Sequence, residues 1–347
     1  MKELPVSDLF DKVFTDKFDI VQQRLDLTEE QDKQQNNDPL LPVHGNTDFL
    51  KAVIIASNKA NCLNDLTSLL NNSAKFQKAL TASRLGHFQD IEFRPNLHSL
   101  VGFQNPDNIN YFKSLSWLRP PTFFGGTKNI MIFDKIDAND ILRGNLGNGY
   151  FLAACAAIAQ IPERLERLFL SGKHYNPNGL HAVAICLNGI WQEILLDDVF
   201  PCTTVANDPA FINTSKRRQL WVMMLEKAWA KVHDGYLNIS HGFIREALRD
   251  LTGASTKTFF TQENVHGMQK QWKILTEAQR NQYVLSAERY DQSGGKTGLA
   301  GSHAYNLIGV YEVARGKRIP INSEPNNRIY IYSDFPYTYL CNTFIIQ

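Results

Sequence analysis

The sequence predicts an α+β protein, and three observations carry that prediction. Trp221, Met224, Leu225, Ala228, Trp229 and Val232 recur at i, i+3, i+4 spacing, the stripe of an amphipathic helix that ends at Asp234-Gly235. Residues 181–187 and 190–196 are β-rich runs flanking Asn188-Gly189. That dipeptide marks a hairpin, because a type I′ turn needs two residues with positive φ. Beyond about residue 243 the strand signal dominates, with 304–312 (AYNLIGVYE) and 328–332 (RIYIY) as its clearest runs.

Taken in chain order, Leu9, Phe10, Val13, Phe14, Ile20 and Val21 predict a short amphipathic helix beginning near Ser7. The polar tract 28–38 (TEEQDKQQNND) reads as an exposed linker. Helical spacing resumes at Phe49, Ala52, Val53 and Ala56, and again at Leu63, Leu66, Leu69 and Leu70. Residues 1–87 thus read as an N-terminal helical appendage and linker, either docked on a core or serving as a partner-binding arm. Pro, Gly and aromatics punctuate 93–148, which implies ordered, irregular loops. Residues 151–160 are apolar on all faces and predict a short buried helix. A boundary near Asn238 to Gly242 separates a largely helical 88–240 from a β-rich 241–347. Residues 293–295 and 324–327 read as loops within the latter.

Composition narrows the function. The chain has 347 residues, 43% hydrophobic and 20% charged, enough to bury a sizeable core and to exclude wholesale disorder. Its net charge of +1 lacks the basic excess that a nucleic-acid or anionic-membrane partner calls for. The longest apolar run, 151–159, is far short of the roughly 20 residues of a membrane helix. The first residues carry acidic groups and no apolar signal region. Cys62, Cys155, Cys186, Cys202 and Cys341 are odd in number and scattered, a poor fit to a disulfide framework or a cysteine zinc site. The histidines show no zinc spacing either. These features read as a reduced, cytoplasmic protein.

Gly144-Asn145-Leu146-Gly147-Asn148-Gly149 is the most conspicuous local motif. Its glycines stand at i, i+3 and i+5, so it is not a dinucleotide fingerprint, and no P-loop lysine follows. It is a turn running into a buried helix. Thiol enzymes place a nucleophilic cysteine at such a helix start, where the positive end of the macrodipole favours the thiolate.

Here a resemblance becomes specific. Arg143 to Leu152 (RGNLGNGYFL) resembles the calpain signature Q-G-x-L-G-D-C-W-x-L. Trp117-Leu-Arg-Pro120 resembles its W-x-R-P, and 191–201 (WQEILLDDVFP) resembles its W-x-x-V-x-x-D-D-x-x-P. Leu220-Trp221 followed by 225–231 (LEKAWAK) resembles its F-W…L-E-K-A-Y-A-K. Asp250-Leu-Thr-Gly253 and Gly301-Ser-His303-Ala-Tyr305 resemble its D-x-T-G and G-H-A-Y. The similarity covers roughly 88–335. It implies a papain-like cysteine protease core: a helical first lobe (88–240) carrying the cysteine and a β-rich second lobe (241–347) carrying His and Asn.

The departures fall on the chemistry. The nucleophile position is Gly149, the oxyanion glutamine position is Arg143, and the orienting asparagine position is Ser333. The Asp before the nucleophile is Asn148 and the Trp after it is Tyr150. Only His303 is kept of the triad. A thiolate must attack the peptide carbonyl in this mechanism, and glycine has no side chain with which to do so. Cys155 lies six residues on, pointing about 240° away and ~9 Å further along a helix axis, so it reads as a buried small residue. The resemblance also implies calcium, for which Asp140 matches a first-lobe carboxylate ligand and Lys135 would give a carbonyl. Asp208 is taken for the distant acid. The second lobe reads as C-terminally truncated. A protein partner adding to its sheet edge near Tyr337 to Gln347, or a tail that folds back on its own sheet, would each resolve the exposed edge.

The resulting expectation is a non-catalytic, calpain-like pseudoprotease, a structural or protein-binding module in a larger assembly. Calcium is possible and no cofactor is required. Resemblance to degenerate calpain-like proteins of ciliated and flagellated protists suggests cytoskeletal or ciliary association. Two alternatives stay open: a calcium-dependent cysteine endopeptidase in variant form, and a peptide-binding module that keeps the old cleft.

Overall fold

The computed structural model describes residues 62–82, 86–215, 218–260, 265–289, 303–311, 328–332 and 343–346. The chain divides into two units, 1–55 and 56–347, and every described residue belongs to the second. The helix expected near Ser7, the linker 28–38, the spacing at Phe49 to Ala56 and the loops at 293–295 and 324–327 lie outside the described residues.

The architecture mixes helices with small antiparallel sheets. The elements comprise α1 (Cys62–Asn71), α2 (Ala74–Ala82), α3 (Leu97–Val101), α4 (Ile109–Lys113), β1 (Ser116–Leu118), α5 (Pro120–Phe123) and β2 (Ile141–Leu142). Next come α6 (Gly149–Ile158), α7 (Glu163–Glu166), β3 (Leu180–Leu187), β4 (Ile190–Asp197), β5 (Phe200–Cys202), β6 (Asn213–Thr214) and α8 (Trp221–Val232). The rest are α9 (Ile244–Thr252), β7 (Lys257–Phe260), α10 (Val265–Arg280), β8 (Leu285–Arg289), β9 (His303–Tyr311), β10 (Arg328–Tyr332) and β11 (Thr343–Ile346).

The strongest sequence signals fold as their chemistry dictates. Asn188 and Gly189 take φ of 53° and 78°, the type I′ turn that closes β3 onto β4 with Leu187 opposite Ile190. Along β3 every residue but the last is buried, so it reads as a continuous apolar run, not an alternation. Such a strand has both faces covered. α6 is equally apolar on all sides, and Phe151, Leu152, Ala154, Cys155, Ala157 and Ile158 are all buried. α8 ends where Asp234, at φ 61°, breaks the helix.

Charged residues inside α8 tie it to its surroundings. The Lys227 ammonium, almost wholly buried, pairs with Asp197 and donates to the carbonyls of Asp197 (3.0 Å) and Val199 (2.6 Å). One turn on, Lys231 reaches both carboxylate oxygens of Asp90 at 2.8 Å and the carbonyl of Leu195 at 2.9 Å. Asp198 pairs with Arg119 and accepts from the Tyr175 hydroxyl at 2.6 Å. The residues of the W-x-R-P, D-D and L-E-K segments therefore meet one another.

The expectation that strands dominate beyond 243 is only partly realised. α9 and α10 are helices in that stretch. In α9, Ile244, Ala247, Leu248 and Leu251 are buried at i, i+3, i+4, i+7 spacing, and Gly253 caps the end at φ 71°. The strands of this region form one antiparallel sheet in the order β10-β9-β8-β11-β7. β11 is interior, with Phe344 opposite both Ala287 of β8 and Phe259 of β7. The C-terminal strand thus folds back between its neighbours, and among the described strands the sheet edges are β10 and β7. A small second core joins α10 to this sheet through Leu275, Ala278, Leu285, Ala287, Tyr305 and Leu307.

Candidate functional site

The loop 143–149 is held by close backbone approach. A Cβ on Gly144 would stand 1.9 Å from the Phe211 carbonyl oxygen, and one on Gly147 would stand 2.8 Å from that of Ser240. Contacts that short exclude any side chain, so both glycines are fixed by packing. Asn145 donates its N–H to Ala210 at 3.2 Å, seating the loop against the run into β6.

The loop delivers Gly149 as the first residue of α6. Asn148, just before it, is 1% exposed and turns its amide inward to donate to Glu226 at 2.7 Å. The other Glu226 oxygen accepts from the Ile212 N–H at 3.2 Å. Among the described residues no cation stands against Glu226, and burial pushes its carboxyl up to about 8, the two hydrogen bonds pulling the other way. It is an acid clasp between the loop and 212, and sequence reasoning missed it. The available signal was a Glu-Lys pair inside a stretch, 221–230, in which every residue is buried. Tyr150 follows Gly149. Its hydroxyl accepts from Trp229 Nε1 at 3.1 Å, and its ring lies where a Cβ on Gly242 would be, 2.5 Å away.

β9 packs along α6. Gln160 donates to the Asn306 side chain at 2.9 Å and to the Leu307 carbonyl at 3.3 Å. His303 is the first residue of β9, opposite Arg289 of β8. The structure therefore brings the elements that carry Gly149 and His303 together. Arg143 is exposed on the approach to the loop. Ser333 lies outside the described residues, one position beyond Tyr332, which pairs with Asn306.

No described thiol is poised to act. Cys155, Cys186 and Cys202 are buried. Burial pushes the Cys155 thiol far up, with the Glu226 carboxylate adding to the effect. Burial likewise lifts Cys202 to about 12. A nucleophilic thiol needs the opposite shift.

Asp140 is a structural tie. It is 5% exposed, its carboxylate accepts from the Ser215 hydroxyl at 3.0 Å, and its carbonyl accepts the Ser215 N–H at 2.8 Å. Lys135 and Asp208 are exposed. Among the described residues no group of three His, Cys, Asp or Glu side chains could hold a metal ion. Calcium takes six to eight oxygens. Asp140, engaged with Ser215, is a single carboxylate against the shell such an ion needs.

A tight glycine loop that feeds a buried helix, with a histidine-headed strand along that helix, is the layout in which thiol peptidases hold nucleophile and base. The comparisons agree. Residues 88–323 match the family described as calpain family cysteine protease. The calpain-type cysteine protease DEK1 of Arabidopsis thaliana is 30% identical over 270 residues, covering 73% of this chain and 12% of that protein. Calpain-14 of Homo sapiens is 31% identical over 231 residues, 65% of this chain and 32% of that protein. Calpain-12 of Homo sapiens is 28% identical over 209 residues, covering 59% and 28%. The chain belongs to the calpain family of cysteine proteases. It spans a third or less of the length of each of these relatives.

Proposed function

We propose that the chain is a catalytically inactive member of its family, a papain-like core kept as a structural or protein-binding module within a larger assembly. One observation carries the reading: the first residue of α6, where the family's nucleophile belongs, is Gly149. The glycine supplies no thiol, and the buried thiols at 155 and 202 are shifted away from the thiolate. Losing a catalytic nucleophile removes several orders of magnitude in rate. Arg143 and Ser333, at the oxyanion and orienting positions, extend the loss beyond one atom. His303 then serves as a structural residue of β9. In this reading the helical stretch 88–240 and the sheet-bearing 241–347 are the two lobes. Cytoskeletal or ciliary association is part of the proposal by analogy alone, and fractionation of native material tests it.

The deciding experiment is a thiol-directed peptidase probe on the unaltered chain and on Gly149→Cys. The expected result is no adduct at the lobe junction on the former and negligible cleavage by the latter. A covalent adduct there on the unaltered chain overturns the proposal, and robust calcium-dependent cleavage by Gly149→Cys restores the endopeptidase reading.

A further inference from the structure

The β3–β4 hairpin is covered on both faces, and the second cover comes from outside the segment that matches the family. One face of the hairpin joins the main core through Val183, Ile185, Ile194 and Leu196, and the turn end of the opposite face joins it too, through Ala184, Cys186 and Trp191. The other carries Leu180, Ala182 and Leu195, which cluster with Phe76, Ala79 and Leu80 of α2. Ala184 pairs with Glu193, so the Glu193 carboxylate stands on that same outer face, 8% exposed. It accepts from the Phe76 N–H at 2.7 Å, from the Lys75 N–H at 3.2 Å, and from the buried Ser73 hydroxyl. Lys75 and Phe76 are the second and third residues of α2, whose N–H groups have no partner within the helix. A residue from the hairpin thus does the work of a helix cap. α1 lies on the hairpin too, and its Leu66 belongs to the main core.

We propose that the outer face of the β3–β4 hairpin is a helix-binding seat, occupied in cis by residues 62–82. The seat reads a serine at the cap, a phenylalanine three residues on, and small or apolar residues one turn further, at Ala79 and Leu80. Glu193 is the anchor and the Leu180–Ala182–Leu195 surface is the groove, a helix-in-groove mode of recognition. Without the strap, Leu180, Ala182, Leu195 and the Glu193 carboxylate would face water, so the strap completes the layer. The proposal is independent of what Gly149 does.

The test uses the full chain. Phe76→Asp should release the strap and leave the seat intact. A fluorescent peptide of residues 71–84 should then bind the Phe76→Asp chain saturably and leave the unaltered chain, whose seat is held by a tethered strap at high effective concentration, unlabelled. A peptide with Ser73→Ala should bind at least about tenfold more weakly. Equal binding to both chains, or none to a folded Phe76→Asp chain, overturns the seat. Hydrogen exchange decides the matter even where Phe76→Asp does not fold. Glu193→Ala should speed exchange of the α2 amides at least about tenfold while α6 amides are unchanged. Unchanged α2 exchange overturns the anchor.

Discussion

Two neighbouring residues of α8 face two differently built regions. Lys227 enters the end of the hairpin, where Asp197 answers its charge and two carbonyls take its remaining protons. Glu226 enters the loop that leads to Gly149, where it meets only amide N–H groups. The first region is a neutralised ion pair. The second is a buried acid held mostly protonated at neutral pH. The hairpin side matches the family signature at Asp197, Asp198 and Lys227. The loop side departs from it at Arg143, Asn148 and Gly149. On the proposed reading, the departures gather on the loop side, where a buried acid meets amides, and the buried charge pairs stand on the hairpin side.

The largest expected effect tests the first region. Lys227→Met should leave Asp197 buried without its cation and cost about 3–5 kcal/mol, read from the urea midpoint. A cost under about 1 kcal/mol would show that the pair does not hold the hairpin.

Next comes the pH dependence of the second region. The Glu226 carboxyl is raised from its ordinary 4.5 to about 8 in the folded chain. The unfolded chain therefore releases that proton first as pH rises. Stability should fall from about pH 4.5 to about pH 8 by on the order of a few kcal/mol and then level off. Glu226→Gln should flatten that slope, and an unchanged slope would remove Glu226 from the account.

Gly144→Ala should cost at least about 2 kcal/mol, because the Cβ would strike the Phe211 carbonyl. A neutral result would show that the loop yields.

The smallest effect at neutral pH concerns His181. Its imidazole is 1% exposed and, among the described residues, has no hydrogen-bond partner on either nitrogen; its ring stacks 5.6 Å from Tyr175. Burial lowers it from 6.5 to about 3, with Lys227 adding to the effect. The unfolded chain binds that proton first on acidification, so stability is lost as pH falls from about 6.5 towards 3. His181→Leu should remove this acid limb and change stability at neutral pH by about 1 kcal/mol or less, in the stabilising direction. Thermal melts at pH 4 and pH 7 read both.

The sequence made one kind of structure legible and hid another. Asn188-Gly189 and the stripe of α8 are local signals, set by backbone sterics and helical period, and they fold as read. α9 carried an equally plain stripe at Ile244, Ala247, Leu248 and Leu251, but the apolar strands downstream drew the reading towards sheet. β2, β5 and β6 are two or three residues long and have no period to detect. β11 owes its place between β8 and β7 to partners far away in sequence. At the site, Gly149 at a helix start was legible from a glycine turn running into an apolar segment. Glu226 was not, because a glutamate on a helix is ordinarily solvated, and only the packing around α8 shows that this one is not. Asp140 matches a calcium-ligand position through the resemblance alone, and its bonds to Ser215 are tertiary contacts that no spacing encodes.

The interior place of β11 has a consequence for synthesis. β7 and β8 emerge from the ribosome well before Thr343–Ile346, and each must wait with one row of N–H and C=O groups unmatched until the last strand slides between them. During that interval the nascent chain is vulnerable to pairing with a stranger, so chaperone demand should peak between the synthesis of β8 and that of β11 and ease once β11 is threaded home.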